Sequence, residues 1–415
     1  MSDLPTGWTD RRLGDAGGLC ARRIDGYPGV KPYLATSDVN RGVATPSGAF
    51  THAGRPARAD LLLKTNDVLQ AKMKGTDKAF HVGDIQNGWL ASTGFAQFDP
   101  RAVGNSSRFF LHVLSSRRFL EAKDARCVGS TQQAISDKEL AGIVVALPPH
   151  AEQIGIADVL DVIDATLHET EALIAKLKAV RKGLLHDLLT RGLDANGELR
   201  PPQAKAPHLY KESPLGWIPK EWEVGSVATM TDILDNQRVP VNEAERSRRP
   251  GDVPYYGANG QQGWIDRQLF NEPLILLAED GGNFDDFASR PIAYRIEGPS
   301  WVNNHAHILK AKASCSQTFI FFALVHRDIR RYVSGGTRAK LTAKELRSIE
   351  LPCPSQNEQA AIAQRLEAIE TRLRYELQYR EKLTQEKAGL MDDLLTGRVR
   401  VTPLLAETAQ QSGCA

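Results

Sequence analysis

The chain has 415 residues and a mass of 45.6 kDa, with 52 Lys and Arg against 50 Asp and Glu, and is 41% hydrophobic and 25% charged. At roughly 100 to 200 residues per domain, that length predicts two or three domains. No stretch approaches the ~18 consecutive apolar residues of a membrane span, and residues 1–25 lack the apolar block of a secretory signal, so a cytoplasmic protein is expected. The cysteines (Cys20, Cys127, Cys315, Cys353, Cys414) are scattered and form no C-x-x-C pair, which excludes a disulfide framework and a zinc ribbon.

In chain order, residues 1–148 come first and carry 19 basic and 14 acidic side chains, an excess compatible with a polyanion partner. Strand-like runs are read at 59–63, 67–73, 88–98 and 109–114, separated by Gly, Asn and Asp turns. At the turn edges, Lys72, Lys74 and Lys78 flank Gly75, and Trp89, Ser92 and Thr93 follow Gly88. After Pro148-Pro149, apolar residues at Ile156, Leu160, Ile163, Leu167, Ile174, Leu177, Leu184 and Leu188 follow alternating steps of four and three, with Thr170 and Arg181 as polar members of the seam. This predicts a helix of about 40 residues, about 60 Å long. Residues 193–214, rich in proline, read as a linker.

The second block, 215–354, has strand-like runs at 264–270, 274–278, 293–296 and 305–309, with Asn259-Gly260 and Asp280-Gly281 as hairpin signals. Tyr256, Asn259 and Gln261 lie among glycines there, and Lys340 follows Gly335-Gly336-Thr337-Arg338. Both blocks read as mixed α/β domains. A second long helix is predicted over 355–398, with Ile362, Leu366, Ile369, Leu373, Leu383, Leu390 and Leu394 on its seam and Glu376, Arg380 and Lys387 interrupting it, before a tail over 399–415. Seams this long need cover, and the most economical cover for each helix is the other.

The chain also repeats. Residues 129–190 align without a gap on 335–396, and 22 of the 62 positions are identical, where about four are expected from average composition. The matches include Glu152-Gln153 with Glu358-Gln359 and Asp187-Leu-Leu-Thr190 with Asp393-Leu-Leu-Thr396; Trp8 answers Trp222. Between these landmarks the two blocks look unrelated. Duplication has kept a scaffold and let two recognition surfaces diverge.

The nucleotide-binding G-x-x-x-x-G-K-[ST] and the Asn/Asp-Pro-Pro-aromatic signature of an amino-methyltransferase are absent, so neither nucleotide hydrolysis nor methyl transfer is expected of this chain. Asp99, Glu121 and Lys123 imitate a nuclease set with loose spacing, His305-x-His307 imitates a metal pair without a third ligand nearby, and 279–286 misses the spacing of a calcium loop. Each is read as structural. Arg and Lys read guanine edges, Asn and Gln read adenine, and Ser, Thr and backbone amides hold phosphates. That composition suits a nucleic-acid surface and suits solvated polar turns as well; on the first reading Lys72, Lys74, Ser92, Thr93, Tyr256, Asn259, Gln261, Arg338 and Lys340 are the candidate DNA-contacting residues.

A tandem of variable block and long helix, with Leu215-Gly216-Trp217-Ile218-Pro219-x-x-Trp222, Tyr256-Gly257-Ala-Asn259-Gly260, Trp301-Val-Asn303-Asn304-His305-Ala-His307, Pro354-x-x-x-Glu358-Gln359 and both Asp-Leu-Leu-Thr segments, resembles the DNA-specificity subunit of type I restriction-modification systems over about residues 4–400. The resemblance implies an α/β fold of two target-recognition domains joined by an antiparallel pair of helices with a pseudo-twofold repeat. Each domain would read one half of a split DNA site. It implies two docked methyltransferase subunits that use S-adenosylmethionine, restriction subunits that use ATP and Mg, and no cofactor on this chain. Leu188, Leu189, Leu394 and Leu395, at the helix ends, are the expected docking residues. The first block lacks the Asn-Asn-His-Ala-His segment, so that motif is not carried across.

Overall fold

The computed structural model describes residues 4–40, 42–130, 132–335 and 339–402; the expected DNA contact Arg338 lies outside them. The chain forms two compact units, residues 1–171 with 378–415, and residues 172–377. Each contains one variable block and parts of both long helices.

In unit 1 the main strands are β1 (Thr9–Arg12), β2 (Leu19–Cys20), β3 (Lys31–Leu34), β4 (Gly48–Phe50), β5 (Ala59–Leu62), β6 (Val68–Ala71), β7 (Ala79–His81), β8 (Leu90–Ser92), β9 (Phe95–Phe98) and β10 (Val144–Leu147). They form a four-stranded sheet of order β4-β3-β8-β5, whose central pair β3/β8 is parallel, and an antiparallel sheet of order β2-β9-β6-β7; β1 pairs with β10. In unit 2 the main strands are β11 (Glu223–Ser226), β12 (Thr231–Ile233), β13 (Val253–Gly257), β14 (Gly260–Ile265), β15 (Phe270–Asn271), β16 (Leu274–Ala278), β17 (Ala293–Ile296), β18 (Pro299–Val302), β19 (Ala306–Ala311) and β20 (Glu350–Cys353). Their orders are β14-β13-β18-β15, again with a parallel central pair, and β12-β19-β16-β17, with β11 on β20. The two blocks, dissimilar in sequence, therefore share one topology.

Several sequence expectations need correction: the run 88–98 is two strands, β8 and β9, and the run 264–270 joins the end of β14 to β15. The segment 109–114 is not a strand but part of helix α1 (Ser107–Ser115), which Ser106 caps by accepting the Phe109 N–H. Its buried residues Phe109, Phe110, Val113 and Leu114 fall at helical spacing, a pattern that a short aromatic run conceals. Asn259-Gly260 does close the β13–β14 hairpin, but Asp280-Gly281 opens a long connection, through a 3-10 turn at Phe284–Asp286, before β17 returns antiparallel to β16.

The long helices are α2 (His150–Thr190) and α4 (Gln356–Leu394), with α3 (Gln317–Val325) as the unit-2 counterpart of α1. They pair antiparallel. In unit 1, Ile156 and Leu160 share a core with Met391, Leu394 and Leu395; in unit 2, Leu188 shares one with Ile362 and Leu366. The polar seam members join in this pairing. Lys387 Nζ lies 2.5 Å from Asp164 in unit 1, and Arg181 pairs with Glu370 in unit 2. Thr170 is buried and returns its hydroxyl to the Thr166 carbonyl at 2.8 Å. Truncating a fully buried seam residue such as Leu160 or Leu366 to Ala would cost about 2–5 kcal/mol.

The duplicated Glu-Gln pairs anchor the helix starts. Gln153 accepts the Ser106 N–H at 2.9 Å and donates to the Pro148 carbonyl at 3.0 Å; Gln359 does the same with Ser316 (2.9 Å) and Pro354 (2.9 Å). Each glutamine thereby locks its long helix to the cap of α1 or α3. Glu152 accepts the Trp8 indole N–H at 3.0 Å and pairs with Arg400 at 2.6 Å, while Glu358 accepts the Trp222 indole at 3.0 Å and pairs with Arg200 at 2.6 Å. In both units the chain leaving one helix grips the start of the other. The glycines ending the helices have φ of +62° (Gly192) and +74° (Gly397), and a Cβ on Gly192 would sit 2.3 Å from Trp222, so only glycine fits.

These grips revise the expected linker and tail. Arg200, Ala206 and Tyr210, within the segment read as a linker, are buried, and the Tyr210 hydroxyl donates to the Pro201 carbonyl at 2.6 Å. Val401, in the expected tail, is buried in the unit-1 core.

Candidate nucleic-acid interface

In unit 1 the chain leaves β6 at Lys72, whose N–H donates to the Gly94 carbonyl (3.0 Å) in the β8–β9 turn. Ser92 at the end of β8 is buried, and its hydroxyl accepts the Gly94 N–H at 3.1 Å; the Thr93 N–H donates to Arg58 O at 2.9 Å. Lys78 donates to the Thr36 carbonyl at 2.8 Å. The structure thus gathers Lys72, Ser92 and Thr93 at one sheet end. Lys72 Nζ lies 3.1 Å from Asp137, so part of its charge is already answered. Lys74 is exposed and has no ion pair among the described residues.

The same corner in unit 2 is at Glu279, whose N–H donates to the His305 carbonyl at 2.8 Å and whose carbonyl accepts from Leu341, as that of Lys72 does from Ile135. A lysine and a glutamate thus occupy equivalent positions. Glu279 is met by Arg238 at 2.7 Å and Lys340 at 3.1 Å. Asn259 donates to Gly281 O at 2.8 Å, and the Tyr256 ring lies 6.1 Å from that of Tyr294. Tyr256, Asn259 and Lys340 therefore border this sheet end. Gln261, exposed and bonded to Gly263 O at 3.1 Å, sits farther along β14.

His307 is fully buried, with Nδ1 2.6 Å from Asp235 and Nε2 2.9 Å from the Leu341 carbonyl. Burial alone would raise the Asp235 carboxyl, but the His307 hydrogen bond and charge, with the Ile308 N–H, outweigh it and hold that carboxyl below the usual range. In unit 1 Asp161 is likewise raised by burial and lowered further by His112, 2.7 Å away, and Arg108. Asp235, Glu279 and His307 could offer ligand atoms within 4.8 Å of one another, yet Arg238 and Lys340 already face these carboxylates. The donor set suits an internal ion network better than a cation site.

The nuclease look-alike falls apart in space. Asp99 pairs with Arg22 and Glu121 with Arg117, while Lys123 is buried and donates to the carbonyls of Met73 (3.1 Å) and Thr76 (2.6 Å). Lys123 is structural, as expected, but sequence reasoning missed that it shapes the loop carrying Lys74. Its signal was a lysine one helical turn from the buried Phe119. Sequence reasoning also missed Arg246, stacked 4.7 Å over Tyr255, and Arg249, 4.7 Å over Trp301, on the β14-β13-β18-β15 sheet.

Leu188, Leu394 and Leu395, expected to dock partners, are buried in their own units' cores, and Leu189 packs against the unit-2 core. Their apolar area is spent on the fold, which leaves the first three nothing to offer a partner.

The family described as the type I restriction modification DNA specificity domain matches residues 5–179 and 219–385, one span for each block and helix. The chain belongs to this family. Membership assigns it to DNA sequence specificity and not to catalysis. A specificity subunit of Methanocaldococcus jannaschii type I restriction enzyme MjaVIII is 23% identical over 97% of this chain and 95% of its own. A type I restriction enzyme specificity subunit of Haemophilus influenzae is 31% identical, over 39% of each chain, so that match spans well under two thirds of the relative. The fold is that of the type I restriction-modification S subunit of M. genitalium, with a TM-score of 0.62 at 18% identity over 95% of this chain and 97% of that one. None of the chain's described helices is long and apolar enough to cross a membrane.

Proposed function

We propose that this specificity subunit reads a two-part, asymmetric DNA site, one part per block, and holds modification subunits in place to methylate it. The observation that carries this reading is the repeated topology with unlike chemistry at equivalent corners, Lys72 in one block and Glu279 in the other. Identical frames present different side chains, as reading two different half-sites requires. Lys74, Lys72, Ser92, Thr93, Tyr256, Asn259, Gln261, Lys340 and Arg338 are the proposed DNA-facing residues. In the cytoplasm, two modification subunits would supply adenine methylation with S-adenosylmethionine, and restriction subunits would supply ATP- and Mg-dependent translocation and cleavage.

The paired helices would set the unread gap between the half-sites. Four residues inserted into one helix add about 6 Å and just over one turn, which nearly preserves the seam. The recognised gap should lengthen by about one to two base pairs at 3.4 Å each. Methylation mapping in a host expressing the variant with its modification subunit reads the gap directly, and an unchanged gap would refute the spacer role.

A further inference from the structure

Beyond the end of α3, the chain turns through His326, Arg327 and Asp328 against the end of α2 within unit 2. A groove of about 840 Å³ opens there, walled by Leu185, Leu189, Trp217 and Phe322. Trp217 is 46% exposed, although Ile218 beside it is buried at 2%. Large aromatic side chains left open beside apolar walls mark interaction sites more often than isolated surface residues do.

Arg327 lines the same groove. Every neighbouring charge is engaged elsewhere. Asp328 is held by Arg330 at 2.7 Å, Glu350 by Arg331 at 2.7 Å, and His326 by the Phe287 carbonyl at 2.8 Å and by Arg181 at 3.3 Å. Among the described residues the Arg327 guanidinium has neither ion pair nor side-chain hydrogen bond. Burial pushes it down from its usual range. A half-buried guanidinium has five N–H donors to satisfy, and leaving them without an acceptor is costly. The equivalent residue after α1, Arg117, is exposed and has its partner in Glu121 at 2.7 Å, so the bare cation belongs to unit 2.

We infer that this groove docks a segment of the modification subunit that presents a carboxylate beside apolar side chains. The apolar walls take the hydrophobic part, and Arg327 receives the carboxylate in a charge-assisted pair. Arg330 and Arg331 also line the groove but are held by Asp328 and Glu350, and a DNA backbone, which favours polar, strongly positive surfaces, fits the leucine, tryptophan and phenylalanine walls less well. This inference rests on the proposed partnership with a modification subunit.

The test uses the full chain purified with and without that subunit, with oxidative footprinting of Trp217 and titration of the variants Arg327→Gln and Trp217→Ala. Trp217 should be protected in the complex, and Arg327→Gln should weaken association about tenfold or more. The melting temperature of free Arg327→Gln should not fall, since no described group loses a partner, and its DNA affinity should match the wild type. A complex that forms with Trp217 still fully labelled, or that tolerates Arg327→Gln unchanged, overturns the groove assignment alone. Loss of DNA affinity in Arg327→Gln also overturns it and marks a phosphate contact instead. If the wild-type chain fails to bind the modification subunit, the proposed function fails and the docking site with it.

Discussion

The grip on Glu358 makes a quantitative test of how the helix ends are held. Its carboxylate accepts the Trp222 indole at 3.0 Å, the Leu193 N–H at 2.8 Å and Arg200 at 2.6 Å, with Trp222 and Leu193 fully or almost fully buried. Glu358→Ala would remove the nearest partner of Arg200, which keeps the Arg191 carbonyl at 3.1 Å and Glu221 at 3.5 Å, and would strand two N–H donors, which should cost about 2–4 kcal/mol. Glu358→Gln keeps an acceptor while losing the charge and should cost less, about 1–2 kcal/mol. Trp222→Phe removes one N–H and keeps most of the ring, for about 1 kcal/mol. Because Trp222 and Glu358 share one hydrogen bond, the Trp222→Phe/Glu358→Ala double variant should be about 1 kcal/mol more stable than the sum of the single losses predicts. Urea unfolding gives these differences as midpoint shifts at constant slope, and hydrogen exchange at the Leu193 amide reports the grip locally where a two-unit chain departs from two-state behaviour. Additive losses, or a Glu358→Ala cost below about 1 kcal/mol, would show that the carboxylate does not hold the helix ends.

Gly192→Ala should destabilise unit 2 by more than the ~1 kcal/mol of a left-handed backbone alone, because its methyl group meets Trp222, and the loss should appear in a thermal melt. Lys74→Ala should reduce the salt slope of DNA binding by about one, whereas Lys72→Ala, already paired with Asp137, should change it less; equal slopes for wild type and Lys74→Ala would remove Lys74 from the interface. The depressed carboxyls of Asp235 and Asp161 contribute stability that is fully present above their unfolded value near pH ~3.9 and is lost as pH falls through their lower folded values. Acid titration followed by circular dichroism should therefore show a steepening loss below about pH 4, and Asp235→Asn should flatten it.

The long helices were legible residue by residue. Their seam needs only 3.5-residue spacing within one segment, and their ends are written by Pro148-Pro149, Gly192 and Gly397. The duplicated Glu-Gln pairs stood out as repeated, but their work did not, because the groups they hold lie far away in sequence: Gln153 meets Ser106, Glu152 meets Arg400, and Glu358 meets Arg200. The candidate site was legible as a set of residue types at turn edges. Its electrostatics were not, because Asp137 answering Lys72 and Glu279 answering Lys340 depend on segments far apart in sequence being brought together by the fold.

From sequence alone came the duplication, the two helices and their apolar stripes, since each depends on order along the chain. Tertiary structure alone decided that two unrelated-looking blocks adopt one strand order, that residues 109–114 coil into α1, that Lys123 supports a loop and that Arg327 finds no side-chain partner among the described residues. These depend on which distant backbone and side-chain groups satisfy one another once water is excluded. Local periodicity carries no record of such partners.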